Sequence, residues 1–354
     1  MKWVKGELLT DLDATNVDPT RQLVRDAQPI LFNRRSWVTR VWKHFPGVAI
    51  APIIARATSE GAIAWLFLVR EPNGRARALA NWYNFAFSVI FKGEPDNVSK
   101  GAMITAMAKR LGSAKPLLTT INMGPIARTD GSCALLTRSF ARAGWKPVVS
   151  AVSTSWTASV DGMTFAEYWA ARPGQLRNTY ARKRSKADFD VSIYDNFNAD
   201  AWAEYEDVYA DSWKPEEGSP GFLRETAEYE AEAGCLRLGL CRVDGIAVAA
   251  QFWTVENRIA YIHKLAHRES AKPLSPGTIL SHALFAHVID KDRVATIDFG
   301  TGNDAYKADW MDKSEPLDHI TLYNLRTISG RGSAMLAGLK AWMHGLRGSQ
   351  SHDS

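Results

Sequence analysis

Ser275, Pro276, Gly277 and Thr278 stand together just ahead of Leu280, Leu284 and Val288, apolar residues spaced by four. That spacing predicts a buried helix. Ser275 suits its N-cap and Pro276 its first position, where a missing N–H costs nothing. Gly277 carries no side chain, so a ligand can approach the backbone of the first turn. Unbonded N–H groups and the positive end of the helix dipole make such a turn an anion site, above all for phosphates. The plainer reading is a well-started helix without a ligand, since caps of this composition are common. The stretch is neither a Walker loop nor a GxGxxG fingerprint. Asp298-Phe299-Gly300 spells the kinase metal motif, but the kinase catalytic loop and strand lysine are missing, so the match is coincidence. His263 and His267, just upstream, lie four apart with no third ligand to complete a metal site.

These residues need elements to position them. An apolar run ending in His263–His267 predicts a strand before the helix, and residues 294–300 (VATIDFG) a strand after it. Upstream, residues 235–245, 246–258 and 259–270 form three strand-like runs with turns at Asp244-Gly245 and Glu256-Asn257, which predicts an antiparallel meander. Before it come a strand (DVSIYD), a helix with Trp202, Tyr205, Tyr209 and Trp213 on one face, a Pro-containing loop and an acidic helix. The first half predicts a strand and a helical stretch around Arg21–Val24 within residues 1–30. Three strand-like runs follow at residues 49–57, 62–71 and 79–93, then helix, strand, helix and strand to residue 160. The basic segment with Arg172, Arg177, Arg182, Lys183, Arg184 and Lys186 reads either as an anion or RNA contact or as a solvated connecting helix. A last helix places Met335, Leu339, Trp342 and Leu346 on one face, and residues 349–354 read as a frayed tail.

With 354 residues the chain is long enough for two cores, and 46% hydrophobic with 23% charged residues is the composition of a globular enzyme. A net charge of +5 favours an anionic ligand without pointing to DNA. Cys133, Cys235 and Cys241 are too few for a disulfide framework and fit a reducing cytoplasm. No run is long enough to span a bilayer, and the N-terminus lacks a signal-peptide core, so a cytoplasmic location is expected.

The order of elements resembles the GNAT acyltransferases. More narrowly, residues 160–325 are similar to the GNAT-type domain related to the cellulose-biosynthesis protein CelD and to the FemAB transferases. The resemblance is carried by Gly174-Gln175-Leu176-Arg177, Arg182-Lys183-Arg184, Ala250-Gln251-Phe252 and His263-Lys264-Leu265-Ala266. Its most specific part is Leu274 to Thr278 with Ile297-Asp298-Phe299-Gly300 and Asp304-Ala305-Tyr306-Lys307. The family's Gln/Arg-x-x-Gly-x-Gly/Ala loop is replaced here by Ser275-Pro276-Gly277-Thr278. The resemblance implies an α/β (α+β layered) protein of tandem GNAT-like domains, each a central mixed, mainly antiparallel sheet flanked by helices. The expected boundaries are 1–160, 161–330 and a C-terminal helix and tail at 331–354.

It also implies an N-acyltransferase using acetyl-CoA or another acyl-CoA, with a small-molecule amine as acceptor, in cell-envelope or exopolysaccharide biosynthesis. An acceptor amine must lose a proton and a thiolate must leave, which asks for a base of pKa near 7 and an acid such as a phenol. His263 and Asp298 are expected on the amine side and Tyr306 beside the thiolate. Leu265, Ser275, Pro276, Gly277 and Thr278 are expected to hold the donor. Gln251, Trp213 and Lys307 are expected to hold the acceptor. The rivals are a FemAB-type transferase taking aminoacyl-tRNA and a non-catalytic GNAT-fold component of polysaccharide biosynthesis.

Overall fold

A computed structural model describes residues 3–45 and 47–349; the expected tail at 349–354 lies, after its first residue, outside the described residues. In chain order the strands are β1 (Val4–Leu9), β2 (Ala51–Ser59), β3 (Ala62–Glu71), β4 (Arg75–Ala78), β5 (Ile90–Lys92), β6 (Thr120–Ala127), β7 (Trp145–Ser159), β8 (Phe189–Tyr194), β9 (Leu236–Val243), β10 (Ile246–Glu256), β11 (Ile259–His267), β12 (Thr296–Thr301) and β13 (Lys313–Asn324). The helices are α1 (Ala14–Val17), α2 (Arg35–Lys43), α3 (Asn97–Gly112), α4 (Ser132–Arg142), α5 (Phe165–Ala170), α6 (Gly174–Arg184), α7 (Ala199–Ala210), α8 (Pro220–Glu232), α9 (Pro276–Asp290), α10 (Lys307–Trp310) and α11 (Ile328–Ser349). They form two units, residues 1–153 with 315–354 and residues 154–314.

Each unit is a mixed, mainly antiparallel sheet flanked by helices. In the first, β1 to β4 run antiparallel in order, β4 pairs parallel with β6, and β6 pairs antiparallel with β13. In the second, β8 to β11 run antiparallel, β11 pairs parallel with β12, and β12 pairs antiparallel with the end of β7. The order of pairing is the same twice, although no sequence repeat announces it, but the last strand differs in origin: β13 follows the other strands of its sheet in the chain, whereas β7 precedes those of its own. The final strand, expected to complete the second unit, instead closes the first, where Ile320 and Leu322 join the core around Met103, Ile121 and Phe140.

Turn chemistry explains the second sheet. Asp244 and Gly245 both have positive φ, as do Asn257 and Arg258, and each pair makes a two-residue hairpin between registered strand ends. Leu280, Leu284 and Val288 of α9 are fully buried against β9 and β10, with Trp253 and Phe285 in edge contact.

Three expectations fail locally. Residues 79–93 form mostly loop, because Asn81 and Asn84 bind neighbouring backbone N–H groups and Asn84 takes the Trp37 indole N–H, drawing the chain off the ladder. Arg21–Val24 is not helical; Arg21 has φ 54°, and the Asp18 carboxylate accepts from Gln22 N and Leu23 N. The helix of Trp202, Tyr205 and Tyr209 ends at Ala210, so Trp213 lies in the following loop.

Candidate active site

The start of α9 is open. Ser275 occupies the N-cap position in a left-handed conformation (φ 53°, ψ 48°), and its hydroxyl makes no cap bond. This corrects the expected serine cap: the turn out of residues 269–274 forces the left-handed backbone. Thr278 and Ile279 donate to the Ser275 carbonyl, while Gly277 N–H has no partner among the described residues. A Cβ on Gly277 would lie 3.6 Å from the His267 ring, so glycine leaves a shallow approach to that N–H. The matching helix of the first unit, α3, is closed instead. Asp96 caps it, accepting from Ser99 N at 2.7 Å, and its carboxylate both fills and neutralises the position an anion would take.

Beside the open turn lies a cavity of about 220 Å³, lined among others by Leu265, His267, Gly277, Thr278, Phe299 and Tyr306. It opens where the sheet splits. The β11–β12 pairing ends at Tyr261 and Asp298, yet β11 runs on to His267 and β12 to Thr301. Trp213 covers it from the loop after α7, its ring 4.3 Å from His267. Leu176 of α6 reaches it from below, and Lys183 of the same helix donates to the Pro273 carbonyl beside the turn. Tyr306 packs edge-on to Phe299, and burial with the nearby Asp304 pushes its phenol well above the ordinary range, so it stays protonated.

The opposite face of the sheet carries the basic groups. Phe252 pairs with Lys264 but Trp253 with Ile262, so His263 is the extra residue of a bulge. His263 and Lys264 therefore share the α7 face. His263 Nε2 lies 2.8 Å from Thr254 Oγ1 and its ring stacks on Phe252, whose own ring meets Trp202. Burial, then the Lys264 charge, pushes His263 down to about 3. Asp298 pairs in register with Tyr261, which pairs with Thr254, so its carboxylate belongs to the same face. Burial pushes Asp298 up to about 6, while the Gly300 N–H at 2.9 Å and the Lys307 charge oppose the shift.

On this face α7, α8 and their connecting loop enclose a second cavity of about 380 Å³, lined by Trp202, Tyr205, Tyr209, Lys214, Glu217 and Leu223 among others. Lys264 pairs with Glu217 at 2.7 Å and sits over the Tyr209 ring. Asp304 lies close enough to raise the affinity of both Lys214 and Lys307 for their protons, against a larger effect of burial.

Two expected acceptor ligands are struts. Gln251 is buried, donating to Ser281 Oγ at 2.8 Å and accepting from Trp253 Nε1 at 2.9 Å, which pins the second turn of α9 to β10. Lys307 Nζ donates to the Phe299 and Thr301 carbonyls at 3.2 and 2.6 Å, and burial pushes it down to about 8. Trp213 lies over the smaller cavity, not the larger one. Lys214 and Glu217 were not singled out from the sequence, where residues 213–221 read only as a Pro-containing loop, and Tyr209 and Lys264 stood there as an aromatic helix face and a family motif without a role at the site.

A helix start with an unpartnered N–H stands beside a split mixed sheet, with titratable groups on the facing side. Residues 167–308 match the family model of the acetyltransferase (GNAT) domain. No curated protein matches the sequence. Among solved structures, FemX is similar over 90% of this chain and 98% of its own at 11% identity, with a TM-score of 0.58. A tandem GNAT protein from the clavulanic acid biosynthesis pathway is similar over the same shares at 12% identity and 0.52. A conserved protein of unknown function from Bacteroides thetaiotaomicron covers 81% of this chain and 89% of its own at 13% and 0.54. Residues 167–308 are thus similar to the acetyltransferase (GNAT) domain, and the chain has the tandem GNAT/FemAB-like fold.

Proposed function

We propose that the second unit transfers an acyl group, acetyl in the simplest case, from acyl-coenzyme A to a primary amine. The observation that carries this reading is the open start of α9: Gly277 N–H without a partner, next to the cavity at the split between β11 and β12. A pyrophosphate suits that N–H and the helix dipole. An extended pantetheine arm suits the diverging strand edges, whose backbone groups can pair with its amides. Lys183, beside Pro273, adds positive charge for the phosphates.

The acceptor then enters from the α7 face, through the larger cavity. Its nitrogen attacks the thioester carbonyl, the C–S bond breaks, and an amide forms. Asp298 takes the amine proton, because a carboxyl raised to about 6 is ionised near neutral pH yet basic enough to act. His263, held near 3, is neutral but a poor base, and it orients the acceptor through its ring face and Thr254. Tyr306 gives its proton to the departing thiolate and regains one from solvent. Release of free thiol from acetyl-CoA in the presence of a panel of amines tests the reading directly. Thiol release that requires an amine supports it; transfer from aminoacyl-tRNA with none from any acyl-CoA overturns the donor.

A further inference from the structure

The last helix, α11, is built inside out. Its turn of small residues faces its own unit: Gly330 is buried, and Ser333, Ala334 and Ala337 are half-buried. A Cβ on Gly330 would lie 2.2 Å from the Asn324 carbonyl oxygen, so only glycine permits the approach. The large apolar residues point outward. Ile328 is 91% exposed, Met335 80%, Leu336 63% and Leu339 51%. At 100° per residue Ile328, Met335 and Leu339 form one stripe, and the sequence continues it with Trp342 and Leu346.

An exposed stripe of this size needs an occupant, and the charge chooses it. From His319 to His352 the chain has no Asp or Glu, while Arg326, Arg331, Lys340 and Arg347 are all basic. A second copy would bring an equally basic helix against the first and lack any carboxylate to pair with it. An anionic lipid surface supplies both missing parts, acyl chains for the stripe and negative headgroups for the flanking basic residues. The helix is not apolar enough to cross a bilayer. We infer that α11 lies along the surface of an anionic membrane, holding the protein there peripherally.

Sedimentation of the full chain with lipid vesicles tests this. Binding to vesicles of phosphatidylcholine with about 30% phosphatidylglycerol is expected, with little to phosphatidylcholine alone and weakening from ~0.1 M to ~0.5 M salt. Met335→Glu with Leu339→Glu should weaken that binding at least about tenfold. Both side chains are exposed, so the variant should keep the wild-type melting temperature. Arg331→Glu with Lys340→Glu should weaken it too. No binding to the anionic vesicles overturns the inference. So does a stable dimer in solution that Met335→Glu with Leu339→Glu dissociates, since the stripe then belongs to a second copy.

Discussion

At the scale of single residues, the Asp298 carboxyl and the His263 imidazole on the α7 face are tuned in opposite directions. Asp298 is raised to about 6 by burial, and His263 is lowered to about 3 by burial and by Lys264. If Asp298 is the base, turnover rises with pH through about 6, because only the carboxylate accepts a proton. Asp298→Asn should then lower turnover by about 100- to 10,000-fold and remove that acid limb. His263→Asn should lower turnover without moving the limb, and a limb that vanishes in His263→Asn would return the role to the imidazole. Tyr306→Phe should keep donor affinity and lower turnover about 10- to 1,000-fold at saturating donor.

The same shifts bear on stability. His282, stacked on Tyr180, is lowered to about 4 by burial, like His263 below its unfolded value of 6.5. A depressed histidine gives stability that is present above the unfolded value and lost as pH falls toward the folded one. Urea midpoints should therefore drop between pH 6.5 and 4, and His282→Phe should flatten the drop. Asp298, raised above 3.8, acts in the opposite sense and softens it.

At the scale of elements, the important feature is how α9 begins. The sequence pattern located the helix, its buried stripe and its glycine, because spacing and cap composition are local properties. It missed the left-handed Ser275, because that conformation is imposed by the preceding turn and not by serine itself. With no cap bond to lose, Ser275→Ala should cost less than ~0.5 kcal/mol, and Ser275→Gly should stabilise by up to about 1 kcal/mol by relieving the left-handed backbone. Chemical denaturation measures both; a cost above ~1 kcal/mol for Ser275→Ala would mean the hydroxyl caps the helix after all. The bulge at His263 was equally hidden. Alternation along β11 assigns His263 and Leu265 to one face, and only the register with β10 shows that the bulge parts them. Gln251 and Lys307 looked like ligands because they are polar residues in apolar strands and turns. Their partners, Ser281 Oγ and the Phe299 and Thr301 carbonyls, come from other elements that a linear reading does not bring together.

At the scale of the whole molecule, the chain repeats one order of strand pairing, yet the helix starts of the two units differ. Asp96 closes α3, whereas the start of α9 stays open. The antiparallel meander, the helix after it and the strand that follows that helix were legible from element order. The assignment of β13 to the first unit was not, because which sheet a terminal strand joins depends on long-range packing of Ile320 and Leu322. The asymmetry of the helix starts predicts one donor site per chain. Calorimetric titration of the full chain with acetyl-CoA measures this most directly. The account predicts saturation at one equivalent, loss of binding in Gly277→Val with the fold retained, and unchanged stoichiometry in Arg128→Ala, a change confined to the first unit. No heat at millimolar acetyl-CoA, or full binding retained in Gly277→Val, would contradict it.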